Sequence, residues 1–290
     1  MKRLTPPNID DLDILLRMKN NLEIASQPFI RNEYTDLLRK YLIFSNSAGN
    51  PWACAGQIIS NELKEKLEYH FKKPYSDLIY ITELRSKGSP DVCPFCGSLK
   101  TGTLDHYLPQ ANYPELIIYS KNLVPACDCN SKRRNDVKGI NYNQRVLHPY
   151  YDDCLNNRIT RAEFTGNLDI PDIDIVPIPQ LNVPQETIQF HINTVVKRTT
   201  IVPWMRSKWQ SMKKNPRTII SSIPRTPNQI TMSDLDVFLH ESLDDKDNEH
   251  GTMNNWYSMF ISGIQCSIQA KTWLLNRHNG IINGTIDPFS

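Results

Sequence analysis

The middle of the chain reads Cys93-Pro-Phe-Cys96-Gly97, then Leu104-Asp-His-Tyr-Leu-Pro-Gln110, then Asn122-Leu-Val-Pro-Ala-Cys-Asp-Cys-Asn130. These three stretches place thiol, carboxylate, imidazole and carboxamide groups within 38 residues. Such groups bind metal ions of different hardness, so they separate into a thiolate set and an oxygen set. The region therefore predicts a small, loop-rich unit that metal ions hold together, with longer stretches of chain on both sides.

The thiolate set consists of two cysteine pairs, Cys93 with Cys96 and Cys127 with Cys129. Four thiolates in tetrahedral geometry are a common ligand set of structural Zn²⁺. Gly97 allows the unusual backbone angles that a Cys-x-x-Cys turn needs. The second pair is Cys-x-Cys, one residue tighter than usual, so it binds with more strain. The alternative is two unrelated pairs of reduced thiols.

The oxygen set predicts a second site. The Asp105 carboxylate is a hard ligand suited to Mg²⁺ or Mn²⁺, and the Asn130 amide oxygen can complete the site. His106, beside Asp105, can take a proton from water. Asn122 is expected to hydrogen-bond across the intervening loop and so to hold His106 in position. The alternative for the Asp-His pair alone is an ordinary surface dipeptide.

In type and order, these elements resemble the HNH, or ββα-metal, endonuclease family in its zinc-knuckle form with a terminal Cys-Asn motif. The resemblance covers about residues 93–138. It implies that His106 is the general base and that Asp105 and Asn130 bind one catalytic Mg²⁺ or Mn²⁺. It further implies that Asn122 is the central, positioning asparagine and that the four cysteines hold structural Zn²⁺. Members of the family commonly space the second cysteine pair as Cys-x-x-Cys, which this chain does not.

The function that the resemblance implies is single-metal hydrolysis of phosphodiester bonds in DNA, leaving 5′-phosphate and 3′-hydroxyl ends. Lys132, Arg133 and Arg134 follow the motif, and one or two of them are expected to contact flanking phosphates. The alternative for each is a solvated helix end. A zinc-stabilised nucleic-acid-binding module without catalysis is one alternative, and a ribonuclease using the same site is another. The expected setting is a bacterial or phage effector nuclease, including anti-phage defence, with a homodimer or a separate regulatory partner.

The fold expected for the whole chain is mainly α with a small central zinc-stabilised ββα unit, an α+β class. The ββα unit is expected as extended segments at 103–108 and 116–124 and a helix over 129–137, after a breaker at 87–90. Apolar residues at helical spacing predict helices on both sides. Four regions are expected: 1–88 helical, 89–145 the nuclease core, 146–200 irregular or extended, and 201–290 helical.

The net charge is only +2, so no overall field attracts nucleic acid. The charges are unevenly distributed, because residues 197–217 carry seven basic side chains and no acidic one. Lys208, Lys213 and Lys214, interleaved with Trp204 and Trp209, predict a surface that follows a nucleic-acid backbone. The alternative is an amphipathic helix whose tryptophans belong to the core.

The sequence contains no apolar run of the roughly 20 residues that a membrane-spanning helix needs. No hydrophobic signal segment follows the first residues, Met1-Lys-Arg. A cytoplasmic location without membrane contact is therefore the expectation.

Overall fold

The computed structural model describes residues 1–56, 59–86, 90–224 and 228–289. The helices are α1 Asp11–Asn20, α2 Gln27–Asn46, α3 Asn61–Lys72, α4 Ile79–Ser86, α5 Cys129–Arg133, α6 Gln185–His191, α7 Ile201–Lys214, α8 Met232–His250, α9 Trp256–Gln265 and α10 Ile268–Ile282. The strands are β1 Thr103–His106, β2 Leu123–Ala126, β3 Thr160–Thr165 and β4 Asp172–Pro177. The prediction of a mainly helical α+β protein is confirmed.

Strands β1 and β2 pair in antiparallel register, with Asp105 opposite Val124 and His106 opposite Leu123. The second strand starts at Leu123, so the expected extended segment over 116–124 is wrong for most of its length. Short 3₁₀ turns occupy much of 114–122 instead. The Asn122 side chain forms hydrogen bonds with backbone groups of Leu108 and Leu116. These groups therefore have partners although no strand pairs with them.

Helix α5 directly follows β2 and completes the order strand, loop, strand, helix. It ends at Arg133, so the expected helix over 129–137 is too long. The next residue, Arg134, has a φ of +57° and a ψ of −128°, which takes the chain out of the helical region. Asn130 consequently lies in the first turn of a very short helix, immediately after the second cysteine pair.

The buried hydrophobic side chains form two cores. The first packs α1–α4 against the ββα unit, and the second packs the β3–β4 hairpin against α6–α10. The Cys93–Cys96 turn contacts both. Trp256 Nε1 donates to Cys96 O at 2.9 Å, and His191 Nε2 lies 2.7 Å from Phe95 O. Hydrogen bonds from residues that pack around the second core therefore help to hold this turn in place.

Residues 146–200 were expected to be irregular or extended. The β3–β4 hairpin fits that expectation, but 185–196 is helical, formed by α6 and a π-helical turn at Ile192–Val196. Ile188, Ile192 and Val196 recur every four residues and are buried in the second core, which explains the helix. Residues 87–89 of the expected breaker, including the proposed boundary at 88/89, lie outside the described residues, and the four-region division stays a prediction.

Within the described ranges, no helix combines the length and the apolar character that crossing a bilayer requires.

His148 gives the fold a testable pH dependence. It is fully buried, its Nδ1 accepts from Tyr150 N at 3.1 Å, and burial lowers its pKa to about 3. Above pH ~6.5, His148 is neutral in the folded and the unfolded chain. As the pH falls from there towards 3, only the unfolded chain binds the proton, so stability decreases by up to about 1.4 kcal/mol per pH unit.

We expect His148→Asn to lower stability at pH 7 but to weaken the pH dependence by about that amount between pH 6 and 5. Urea unfolding at both pH values measures this. The control is His240→Asn, because His240 is exposed on α8, where its contact with Asp244 at 3.4 Å is a surface pair of small energy; it should change the dependence far less than His148→Asn does. An equal pH dependence in His148→Asn and wild type would contradict the assignment.

Candidate metal centre and active site

The four cysteines of the two pairs converge on one point. Their sulfur atoms all lie within 4.8 Å of one another, and all four residues are buried. Cys93 Sγ is 3.6 Å from Cys129 Sγ, and Cys96 Sγ is 3.4 Å from Cys127 Sγ. Tetrahedral Zn²⁺ at about 2.3 Å from each sulfur requires sulfur–sulfur distances of about 3.8 Å. The quartet can therefore bind a metal such as zinc, and the tight Cys-x-Cys spacing does not prevent this.

Two backbone amides donate to sulfur atoms of the quartet. The amide of Cys127 donates to Cys93 Sγ at 3.4 Å, and the amide of Cys129 donates to Cys127 Sγ at 3.3 Å. The hydrogen bond between the two thiols lowers the pKa of Cys127 and raises the pKa of Cys129, and burial raises the pKa of Cys96. Gly97, with φ +78°, closes the first turn, where an added Cβ would lie 2.2 Å from Asn254 O. Only glycine fits there.

A cleft of about 270 Å³ opens between the end of β1 and the start of α5. Three of the predicted site residues, Asp105, His106 and Asn130, line it together. Asp105 and His106 come from the end of β1, and Asn130 comes from the first turn of α5. The remaining lining residues are Pro109, Gln110, Ala111, Ser131, Arg133, Arg134 and Asn135. The structure thus brings the two predicted oxygen ligands and the imidazole to one cleft.

The His106 ring has a defined orientation. Its Nε2 lies 2.8 Å from Ile117 O, and because a carbonyl can only accept, Nε2 carries the proton. Its Nδ1 makes no hydrogen bond with the described part of the chain. Burial lowers the pKa of His106 below its usual value, and the Ile117 carbonyl offsets part of this. His106 lines the cleft and is neutral at pH 7, with Nδ1 as its acceptor nitrogen.

Asn130 is fixed by its own contacts. Its Nδ2 donates to His106 O at 3.0 Å, and its Oδ1 accepts from Arg133 Nε at 2.7 Å. These bonds define which end of the carboxamide is oxygen, since a carbonyl must face the Nδ2 group. A carboxamide oxygen has a second lone pair, which remains available to a cation.

Asn122 is completely buried between the strands and the loop. Its Oδ1 accepts from Leu108 N at 2.7 Å, and its Nδ2 donates to Leu108 O at 3.1 Å and Leu116 O at 3.2 Å. It closes the loop that carries Ile117, the acceptor of His106. Asn122 thus holds the histidine's support in place without reaching the cleft itself.

The three cations after the motif have different environments. Lys132 forms an ion pair with Asp128 at 2.8 Å on the helix surface. Arg133 is 1% exposed, so the prediction that it contacts flanking phosphates from outside is wrong. Its guanidinium instead donates to His106 O at 2.9 Å and Tyr107 O at 2.6 Å, besides Asn130. These acceptors replace water as hydrogen-bond partners, which allows the guanidinium to lie in the interior. Arg134 is exposed at the cleft.

Helix α7, which carries the predicted lysines, packs its apolar face against the second core. Trp209 is fully buried against Phe164, so for this residue the alternative of a core tryptophan holds. Lys208 is half-buried, with its ammonium 5.4 Å from the Trp204 ring centre. Lys213 is half-buried as well, and Lys214 is exposed. Contact of these lysines with nucleic acid stays a prediction.

Two residues near His106 were not expected to belong to the site. The Phe71 ring, on α3, lies 4.6 Å from the His106 ring between centres, and the Arg85 guanidinium lies 4.5 Å from Phe71. Phe71 was visible in the sequence only as part of an apolar stripe, which predicts core packing. Its contact with the histidine depends on how α3 packs on the ββα unit, for which the local sequence gives no signal.

No known family model matches the chain, and no solved structure matches it either. Protein ea31 of Escherichia phage lambda is similar, with 31% identity over 147 residues. The match covers 47% of this chain and 49% of ea31, so the chain spans about half the length of this relative.

The zinc assignment predicts a difference between cluster and non-cluster cysteines. We expect wild type to contain about one zinc ion per chain and Cys127→Ser to lose it. The loss of stability should exceed the roughly 1 kcal/mol of an ordinary substitution, because binding of structural zinc contributes folding free energy. Elemental analysis and thermal unfolding measure the two effects.

Cys266→Ser is the matched control, since Cys266 is exposed and outside the quartet. It should keep the zinc content and the melting temperature of wild type. Normal stability and unchanged metal content in Cys127→Ser would contradict the zinc site.

Proposed function

We propose that this protein is a metal-dependent endonuclease that hydrolyses phosphodiester bonds of DNA, an enzyme of the HNH type. The observation that supports this best is the shared cleft. A neutral histidine with an open Nδ1 lies beside a carboxylate and an oriented carboxamide oxygen, from His106, Asp105 and Asn130. A base next to hard oxygen ligands is the arrangement that metal-assisted hydrolysis requires.

The residues present fit a catalytic divalent cation. Asp105 offers an anionic oxygen, and Asn130 offers a neutral one whose orientation Arg133 fixes. Two protein ligands leave most of the coordination sphere to water and substrate oxygens, as is usual for Mg²⁺ sites that act on phosphates. When bound, Mg²⁺ or Mn²⁺ would offset the negative charge that develops on the phosphate oxygens.

His106 supplies the base. Its Nδ1 accepts a proton from the water molecule whose oxygen attacks the phosphorus atom. The bond from phosphorus to the opposite 3′ oxygen breaks, and the departing oxygen takes a proton from solvent water to become the 3′-hydroxyl. The ring then carries two protons, and the Ile117 carbonyl stabilises it through the Nε2–H bond. Phe71 packs on the ring and Asn122 fixes the loop that carries Ile117, so the imidazole keeps its direction. Precise direction of the base is a large part of what a protein contributes to such a reaction.

The zinc-bound quartet has a supporting role in this proposal. Cys129 directly precedes Asn130, so the thiol cluster fixes the helix turn from which the carboxamide reaches the cleft. The likeness to a phage lambda protein supports a bacterial or phage setting, which includes anti-phage defence. A nuclease in such a setting needs restraint, and we propose that a homodimer or a separate regulatory protein provides it.

The test is cleavage of supercoiled plasmid with added Mg²⁺ or Mn²⁺. We expect wild type to nick or cut it and His106→Ala to be slower by about 10²–10⁴-fold, the usual contribution of a general base. His240→Ala is the control, because His240 is an exposed histidine on α8 and should keep full activity.

A measurement of DNA binding by His106→Ala distinguishes an endonuclease from a nucleic-acid-binding module without catalysis. Retained binding with lost cleavage supports the proposal. DNA binding by wild type with no cleavage under any divalent cation would favour the non-catalytic alternative, and cleavage of RNA alone would favour the ribonuclease.

A further inference from the structure

Arg134 has a backbone conformation that arginine disfavours. Asp136 N donates to Arg133 O at 3.2 Å, so residues 133–136 form a β-turn. Arg134 is its first central residue, with φ +57° and ψ −128°. These are the angles of a type II′ turn, whose first central position strongly favours glycine. The chain therefore has a bulky cationic residue where glycine is the natural choice.

Contacts at both ends impose this turn. The Arg133 side chain is anchored in the protein interior by the carbonyls of His106 and Tyr107. From the second core, Arg198 Nη1 donates to Arg133 O at 3.1 Å and to Asp136 Oδ2 at 2.6 Å. Strained backbone persists when its surroundings over-determine it, and such positions cluster at functional sites.

The Arg134 side chain makes no polar contact that would stabilise the fold within the described residues. It is exposed, and its guanidinium makes no hydrogen bond or ion pair within residues 1–56, 59–86, 90–224 and 228–289. Lys132 is paired with Asp128 and Arg133 is buried, so Arg134 is the unpaired cation among these three. It also lines the cleft of Asp105 and Asn130.

We propose that Arg134 is the residue of this segment that binds the DNA backbone, by placing its guanidinium on a phosphate at the cleft. The strained turn is retained because it presents this side chain there. A guanidinium suits the task, because its planar donors match two phosphate oxygens at once. This proposal rests on the proposed function for its substrate, but it concerns binding and not the chemical step.

The experiment compares Arg134→Gly, Arg134→Ala and Arg134→Lys in a His106→Ala background, which keeps the DNA intact. Fluorescence anisotropy with a short duplex gives Kd over a range of salt concentrations. Thermal unfolding gives the stability. The control is Arg31→Ala, which removes another exposed cation, on α2 and away from the cleft.

We expect glycine and alanine variants to bind about tenfold more weakly, with a salt slope smaller by about 1, and Arg31→Ala to bind like its parent. The lysine variant should keep most of the salt slope, because it keeps the charge. Arg134→Gly should melt about 2 °C or more above Arg134→Ala, because glycine relieves the strain and alanine does not.

Three results would overturn the proposal: unchanged binding in the glycine and alanine variants, no DNA binding by the parent, or a glycine variant no more stable than the alanine one. A wild type that binds DNA through Arg134 but never cleaves it would instead refute the proposed function and leave this inference standing.

Discussion

Four buried sulfur atoms within 4.8 Å of one another are the constraint on which this structure depends. Thiolates that are so close repel one another, and neutral thiols gain little from such an arrangement. A bound dication removes the repulsion and turns the cluster into a cross-link between the turn at Cys93–Cys96 and the start of α5. Both cores then pack around a fixed point, because Trp256 and His191 bond to carbonyls of the same turn.

The cleft depends on this cross-link because Asn130 is the residue directly after Cys129. When the Cys129 sulfur is held in place, the backbone position of Asn130 is restrained as well. Arg133 adds a second restraint, because its buried guanidinium joins Asn130 Oδ1 to the carbonyls of His106 and Tyr107. A buried charge of this kind is tolerated only where acceptors surround it. The bonds made by Nε and Nη2 therefore set the distance between the carboxamide and the Asp105-His106 strand end, while the buried Nη1 has no partner within the described residues.

The local parts of this arrangement are predictable from the sequence, and the non-local parts are not. Cysteine spacing predicts the quartet, and the order of Asp105, His106 and Asn130 predicts a shared site, because short chain separations limit where these side chains can lie. The interior position of Arg133 could not be predicted, since it depends on the carbonyls of His106, the last residue of β1, and of Tyr107, which follows it. The burial of Trp209 likewise depends on the β3–β4 hairpin, which carries Phe164. The early end of α5 follows from the turn clamped by Arg198, more than sixty residues away in the chain.

The central claim is that the sulfur cluster holds an imidazole and two oxygen ligands around a second cation. NMR with substoichiometric Mn²⁺ tests it most directly, because the paramagnetic ion broadens only nearby signals. The account predicts the strongest broadening at the His106 ring and the Asn130 side-chain amide, much weaker broadening of His240 on α8 in the second core, and loss of this selectivity once zinc is removed. Broadening that spares His106 and Asn130, or that is the same with and without zinc, would contradict it.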